Sequence, residues 1–144
     1  MINPIEHTRT KEATNKYKVE PYVIPADIYG SSNLAGRGGW TWYTGSASWY
    51  YKAGIENILG FKIENGTARI EPCIPASWKE YSIKYKWRNA FYNIVVKNPN
   101  EKNTGVEKII VNGVEKEEIK LEENGIFNVE VLMWVKIKQN DVNI

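Results

Sequence analysis

A glycine-rich segment that carries one arginine leads directly into a segment with helical spacing of apolar residues, within residues 36–59. Thr44 and Ser46 are good N-cap residues for that helix, because a side-chain oxygen can accept a hydrogen bond from a first-turn amide. The first turn has amides without partners and carries a partial positive charge. Gly45 lets a ligand approach the backbone, and Arg37 offers a fork of donors that matches phosphate oxygens. This pattern predicts an anion site at the start of a helix.

Three aromatic residues lie beside these polar groups, namely Trp40, Trp42 and Tyr43. Flat apolar rings next to hydrogen-bonding groups suit a sugar, whose ring has both C–H patches and hydroxyls. A second interpretation stays open, since Ser and Thr caps occur on most helices and aromatic residues usually belong to a core.

The helices that position these residues are predicted from periodicity. Helical spacing after the Thr-Gly-Ser step predicts one apolar helix face, formed by Ala47, Tyr51, Gly54, Ile55, Ile58 and Leu59. Upstream, Thr10 predicts the cap of a short helix with Ala13 and Tyr17 on one side. Another short helix is predicted over residues 25–30, from a proline to a glycine.

From residue 61 the period of the apolar residues changes to two, which indicates strands. Alternating segments occupy residues 61–64, 67–71, 82–87, 90–97, 106–111, 114–115 and 127–137. Asn-Gly pairs at residues 65–66, 112–113 and 124–125 predict tight turns, as does Arg88-Asn89. Strands every ~8–12 residues without intervening helices predict an antiparallel sandwich or barrel.

Composition excludes several functions. A net charge of +2 with interspersed signs lacks the basic footprint of a nucleic-acid binder. One cysteine and one histidine are too few for a zinc site, so no metal is expected. Cys73 lies in an apolar run, which predicts a buried, inert thiol. No apolar run approaches the ~20 residues of a membrane span and no signal-peptide pattern is present, so a cytoplasmic location is expected.

The chain divides into two unlike parts, a helical and loop segment over residues 1–60 and a β-rich segment over residues 61–144. Two helices cannot close a helical domain, because each must bury its apolar face. The first part is therefore expected to belong to a larger helical domain. The isolated chain is expected to expose apolar surface. It should therefore self-associate, for example as a homodimer, or have a mobile N-terminal region.

Five motifs appear in order and at close spacing, in residues 1–7, 20–23, 36–47, 54–60 and 70–75. They read MINPIEH, EPYV, GRGGWTWYTGSA, GIENILG and IEPCIP. Together they resemble the C-terminal end of the inverting glycoside phosphorylases of glycoside hydrolase family 94, formerly glycosyltransferase family 36. The resemblance is nearest to cyclic β-1,2-glucan synthases and β-1,2-oligoglucan phosphorylases.

The resemblance implies an α+β fold, in which residues 1–60 are the last helices of an incomplete α/α barrel and residues 61–144 form an antiparallel β-sandwich. It also implies that phosphate attacks the anomeric carbon of a β-glucoside with inversion, while an aspartate protonates the leaving oxygen. Glucose 1-phosphate is then the product, or the donor in synthesis. The implied partners are a β-glucan or disaccharide and inorganic phosphate as co-substrate, with no other cofactor.

Individual residues acquire roles from the resemblance. Thr44 and Gly45 fall where the family holds phosphate, and Glu20 in the Glu-Pro-Tyr motif falls where relatives bind the acceptor sugar. Arg37 takes the place of a phosphate-binding histidine that cellobiose- and chitobiose-type relatives carry. Trp42 is assigned to the sugar by the chemistry of its aromatic face, not by the resemblance. The catalytic aspartate is expected upstream, so no residue here is assigned as catalytic and the isolated chain should be inactive.

Structural interpretations accompany these roles. Asp27 is expected to be a helix-end or supporting carboxylate, and His7 to have a structural role. An alternative function is a carbohydrate-binding sandwich in which exposed Trp78 and Trp87 stack on glucan, and a further one is a purely structural module. Burial of both tryptophans against the barrel or core is the favoured interpretation.

Overall fold

The computed structural model describes residues 3–42 and 44–133, excluding the side chain of Thr44. The chain forms two compact units, Met1–Lys52 and Ala53–Ile144. The domain boundary at residue 60 stays a prediction. Tyr43 and the strand predicted beyond residue 133 lie outside the described residues.

The first unit begins with a 3-10 helix at Glu6–Thr8 and helix α1 at Lys11–Tyr17. Thr10 caps α1, since its side chain accepts a hydrogen bond from the amide of Ala13 at 3.1 Å. The helix ends where Lys18 takes a left-handed conformation with φ of 55°. The helix predicted with a Thr10 cap is therefore confirmed.

Two very short strands form an antiparallel ribbon, β1 at Asp27–Ile28 and β2 at Gly38–Gly39. The ribbon is extended by the amide of Tyr29, which donates to the carbonyl of Arg37 at 2.9 Å. The prediction of a short helix over residues 25–30 is wrong. Its backbone groups pair instead with a segment about ten residues further along the chain, which satisfies them without a helix.

The small core of the first unit lies against this ribbon. Tyr17, Val19 and Val23 are buried. A Cβ atom on Gly38 would lie 2.4 Å from Cγ2 of Val19 and 3.1 Å from Cε2 of Tyr17. Only glycine therefore lets β2 approach the core this closely.

Helix α2 spans Thr44–Ala53 and is followed by a π-helical turn at Gly54–Ile58. The predicted helix is confirmed as far as Ala53, and its continuation has wider hydrogen bonding. The predicted apolar face is only partly buried. Tyr51 is 72% exposed, whereas Ile55 packs against the core of the second unit.

The second unit contains two β-sheets that share one hydrophobic core. The smaller sheet has the strand order β3 (Phe61–Glu64), β4 (Thr67–Ile70) and β9 (Ile119–Lys120). The larger sheet has the order β5 (Glu80–Trp87), β6 (Asn89–Lys97), β10 (Asn124–Leu132), β7 (Lys108–Val111) and β8 (Val114–Lys116). The fold is thus α+β and mostly β, as predicted, while the barrel assignment stays a prediction.

Most of the predicted turns are confirmed. Asn65 and Gly66 have φ of 50° and 76°, and Asn112 and Gly113 have φ of 48° and 81°, as a two-residue hairpin with a right-handed twist requires. Arg88-Asn89 joins β5 to β6, with Trp87 paired to Ala90.

The prediction of an Asn-Gly turn at residues 124–125 is wrong, because both residues belong to β10. This strand pairs with β6 in parallel, from Asn124 opposite Asn89 to Leu132 opposite Lys97. The larger sheet is therefore mixed rather than purely antiparallel. The two strands begin with the similar sequences NAFYN and NGIFN, which align position by position in the pairing.

Three side chains near the sheets differ in burial. The prediction of a buried thiol is wrong, because Cys73 is exposed. Its amide donates to the carbonyl of Ile58 at 2.9 Å, so this segment is fixed by its backbone. Trp87 packs against the core, whereas Trp78 is 43% exposed.

Asn98 is a fully buried polar residue at the end of β6. Its side-chain amide donates to the carbonyls of Trp78 at 2.9 Å and Lys102 at 2.8 Å. Its side-chain oxygen accepts from the amide of Lys102 at 2.8 Å. One side chain therefore satisfies three backbone groups of the neighbouring loops.

Asn98→Ala should lower the free energy of unfolding by about 2–4 kcal/mol, because it leaves those three groups without partners. Urea unfolding followed by circular dichroism measures the change. The control Asn100→Ala, at an exposed position of the same loop, should cost less than ~0.5 kcal/mol. Equal losses in the two variants would contradict the assignment.

Gly38→Ala should destabilise the first unit by about 1–3 kcal/mol, because the new methyl group overlaps Val19. Hydrogen exchange of the Lys18 amide, which bonds the carbonyl of Thr14, reports the local opening. Gly30→Ala is the control, since nothing lies within 4 Å of its Cβ position. Adding Val19→Ala should make the Gly38→Ala loss smaller. If the loss of stability in the double variant equalled the sum of the losses in the two single variants, the overlap would be refuted.

Candidate functional site

The predicted anion site lies at the first turn of α2. Thr44 is the first residue of the helix and Ser46 the third, so neither precedes it, and the N-cap prediction is wrong. Both still belong to the first turn of the helix, where the macrodipole gives a partial positive charge. A Cβ atom on Gly45 would meet no heavy atom within 4 Å, so the backbone there is open. The predicted contact of the Thr44 side chain lies outside the described part of the structure.

Glu20 and Trp42, both predicted to bind sugar, are in contact. The indole Nε1–H of Trp42 donates to the Glu20 carboxylate at 3.4 Å. Tyr22 lies edge-on to the same indole, with ring centroids 6.0 Å apart and planes at 66°. Trp42 is 62% exposed and Tyr22 73%. A carboxylate thus orients an aromatic face that is open to solvent.

Trp40 and Trp42 both have left-handed backbones, with φ of 51° and 63°. Bulky residues rarely adopt this conformation, and such strain of about 1–3 kcal/mol concentrates at binding sites. The carbonyl of Trp40 accepts a hydrogen bond from the amide of Ala26 at 3.0 Å, which holds the segment in place. Trp40 nevertheless leaves 73% of its surface exposed.

Arg37 lies on the ribbon rather than in the Glu20–Trp42 contact. Its amide donates to the carbonyl of Leu34 at 2.9 Å, and its carbonyl accepts from Tyr29, so the backbone is fixed. The side chain is exposed. Across residues 3–42 and 44–133 the guanidinium has no described ion pair or hydrogen bond, so its donors are available to an anion.

Tyr29 is a neighbour of the site that the sequence patterns did not single out. Its hydroxyl lies 2.5 Å from the position that a Cβ atom on Gly39 would take. Asp27 pairs with Gly39 in the ribbon and is exposed. Asp27 therefore belongs to a strand, and its predicted place at a helix end is wrong. The extended pairing that exposes these groups has no short-range signal apart from the two glycines.

His7 packs on the core of the first unit. Its ring is stacked on Tyr17, with centroids 4.6 Å apart and planes at 14°. Tyr17 is 1% exposed, and its hydroxyl has no hydrogen-bond partner among the described residues. Burial raises the pKa of this hydroxyl. The stacking agrees with a structural role for His7.

Little among the described residues supports a site of another kind. They contain no group of three or more His, Cys, Asp or Glu that could hold a metal ion. None of the described helices is long and apolar enough to cross a bilayer. A groove of about 730 Å³ lies in the second unit between β4 and residues 106–118. Its rim is charged, with Lys108 and Glu115 paired at 2.7 Å, and it contains none of the predicted site residues.

Comparisons with known proteins identify relatives of this chain. Residues 1–60 match the family model described as the catalytic domain of the glycosyl hydrolase 94 superfamily. The chain is 47% identical over 96 residues to cyclic β-(1,2)-glucan synthase NdvB of Rhizobium meliloti (strain 1021), which covers 67% of this chain and 3% of that protein.

Two phosphorylases are also similar. The chain is 40% identical over 95 residues to N,N'-diacetylchitobiose phosphorylase of Vibrio furnissii, with 65% of this chain and 12% of the relative covered. It is 34% identical over 97 residues to solabiose phosphorylase of Paenibacillus borealis, with 67% and 13% covered. The chain thus spans only a small part of each of these relatives. Residues 1–60 therefore match the catalytic domain of glycoside hydrolase family 94, and the chain is similar to a C-terminal region of phosphorylases of that family.

Proposed function

We propose that this chain is the C-terminal part of a β-glucoside phosphorylase and supplies contacts to phosphate and to the acceptor sugar. The observation that carries the proposal is the exposed indole of Trp42, oriented by Glu20 and two residues before α2. The aromatic face proposed to bind a sugar and the helix start proposed to bind an anion are therefore close in sequence. Relatives named as disaccharide phosphorylases support this class of reaction.

The phosphate half of the site would combine backbone and side-chain donors. Amides of the first turn of α2 present partial positive charge, and bare backbone at Gly45 admits the ligand. The guanidinium of Arg37 adds two parallel donors to phosphate oxygens, which the hydroxyl of Thr44 complements. Phosphate serves here as co-substrate, so no further cofactor is needed.

The sugar half would use the Glu20 carboxylate and the Trp42 ring. A carboxylate accepts hydrogen bonds from sugar hydroxyls, and an aromatic face packs on the C–H groups of the ring. The hydrogen bond from the indole uses one lone pair of one carboxylate oxygen of Glu20 and leaves the other oxygen available. Binding would therefore require little reorganisation.

In the proposed reaction a phosphate oxygen attacks the anomeric carbon from the face opposite the glycosidic bond. That bond breaks, and the leaving oxygen takes a proton from a general acid. We assign this acid to an aspartate outside the chain. The 144-residue chain alone should accordingly bind ligands without turning over β-glucosides.

Arg37→Ala should weaken inorganic phosphate binding to the chain about tenfold at low ionic strength, because a charge-assisted pair is lost. Thr44→Ala should weaken it about fivefold while affecting glucose and cellobiose much less. Isothermal titration calorimetry with phosphate and with each sugar measures both affinities.

Arg88→Ala is the matched control, because Arg88 is an exposed arginine of the second unit paired with Glu123. The phosphate affinity of the Arg88→Ala variant should stay within twofold of that of the unsubstituted chain. Trp42→Ala should weaken sugar binding and leave phosphate binding unchanged. If Thr44→Ala affected phosphate and sugar equally, or if Arg88→Ala matched Arg37→Ala, the phosphate assignment would fail. Sugar binding without phosphate binding would favour a carbohydrate-binding module.

A further inference from the structure

The outer face of the larger sheet exposes two apolar side chains side by side. Phe91 on β6 lies directly opposite Ile126 on β10 in the parallel register. Phe91 is 50% exposed and Ile126 66%. The residues next to Phe91 along its strand, Ala90 and Tyr92, point to the core and are buried. The pair therefore belongs to the solvent face and contributes nothing to the core.

Two pairs of asparagines frame this apolar pair. Asn89 donates to the side-chain oxygen of Asn124 at 3.3 Å, and Asn93 donates to that of Asn128 at 3.1 Å. One asparagine pair lies two positions before Phe91 and Ile126, and the other lies two positions after them. These two pairs, here called the amide rows, are therefore ~13 Å apart along the strands. Asn112 fixes one row further, since its side-chain oxygen accepts from the amide of Asn128 at 2.8 Å.

The amide pairs leave hydrogen-bonding capacity toward solvent. An asparagine side chain has two N–H donors and an oxygen with two lone pairs, and each pair uses one donor and one lone pair. The remaining donors and acceptors are uncharged and held in place by the pairing. Neighbouring donors and acceptors around an apolar surface match the hydroxyls and C–H face of a sugar ring.

The size of the apolar surface indicates what covers it. Half of a phenylalanine and two thirds of an isoleucine expose on the order of 200 Å². A stable protein interface needs about 800 Å² from each partner, so this patch is too small to anchor one. Lys86 extends over one side of the Phe91 ring, with Nζ 5.5 Å from its centroid, and adds a donor at the edge.

We propose that this amide-framed face, formed by Phe91, Ile126 and the Asn89–Asn124 and Asn93–Asn128 pairs, binds a neutral saccharide. One sugar ring packs on the apolar pair, and its neighbours donate to and accept from the two amide rows. The site lies within the second unit and uses none of the residues assigned to phosphate or acceptor binding. It does not depend on the function proposed for the first unit.

The test is a titration of the full 144-residue chain, labelled with nitrogen-15, with β-1,2- and β-1,4-linked glucose tetrasaccharides. The side-chain amide signals of the four framing asparagines should shift and saturate in the millimolar range. Phe91→Ala should raise the Kd at least tenfold, whereas Phe91→Tyr, which keeps the ring, should stay within twofold. Asn93→Ala should raise it several-fold.

Further variants separate sugar binding at this face from sugar binding at Trp42 and from self-association of the chain. Trp42→Ala should leave these shifts unchanged, and core signals of Ile94 and Val131 should show that each variant is folded. No shift with either tetrasaccharide, or shifts abolished by Trp42→Ala and kept in Phe91→Ala, would overturn the proposal. Self-association that Phe91→Ala removes, without sugar-dependent shifts, would overturn it in favour of a protein interface.

Discussion

The close packing of Val19 and Tyr17 on the backbone of Gly38 is the constraint from which the candidate site is built. Because their side-chain atoms occupy the space that a Cβ atom of residue 38 would take, β2 can lie on the core of the first unit only if this residue is glycine. The ribbon fixed in this way carries Arg37 at one end and leads to Trp40 at the other. The positions of Arg37 and Trp40 thus follow from one core contact, whereas the bond to Glu20 holds Trp42.

Beyond the ribbon, the chain reaches α2 through a strained segment. Two tryptophans with left-handed backbones remain largely exposed, although burial of either ring would favour folding by about 1.5–3 kcal/mol. Local contacts hold them, through the bond from Ala26 to the Trp40 carbonyl and from the Trp42 indole to Glu20. Strain combined with exposure is the pattern expected where a protein uses aromatic surface to bind a ligand.

Local chemistry in the sequence predicted a large part of this structure. The Thr10 cap and the turns at Asn65-Gly66 and Asn112-Gly113 depend on a few adjacent residues, and they were predicted correctly. The parallel pairing of β6 with β10 was missed, because it joins residues about 35 positions apart and makes residues 124–125 part of a strand. The similarity of NAFYN and NGIFN was the available signal for that register.

The helix predicted over residues 25–30 is wrong for the same physical reason. The proline and the glycine are typical of a helix start and stop, but the backbone groups between them pair across the ribbon instead. Tyr29 consequently lies over Gly39, a contact that no periodicity indicates. The sequence predicts that Glu20 and Trp42 bind sugar, and the structure brings their side chains together, while the binding of sugar stays a prediction.

The proposed phosphate site requires that the first-turn amides of α2 receive a phosphate oxygen, and the amide of Gly45 reports on that contact. The measurement is the nitrogen-15 and proton shift of that amide during titration of the 144-residue chain with inorganic phosphate, with sodium chloride at matched ionic strength as reference. We expect a saturable downfield shift of Gly45 with phosphate and none with chloride. A Gly45 signal that phosphate leaves in place, or that chloride moves equally, would contradict this assignment.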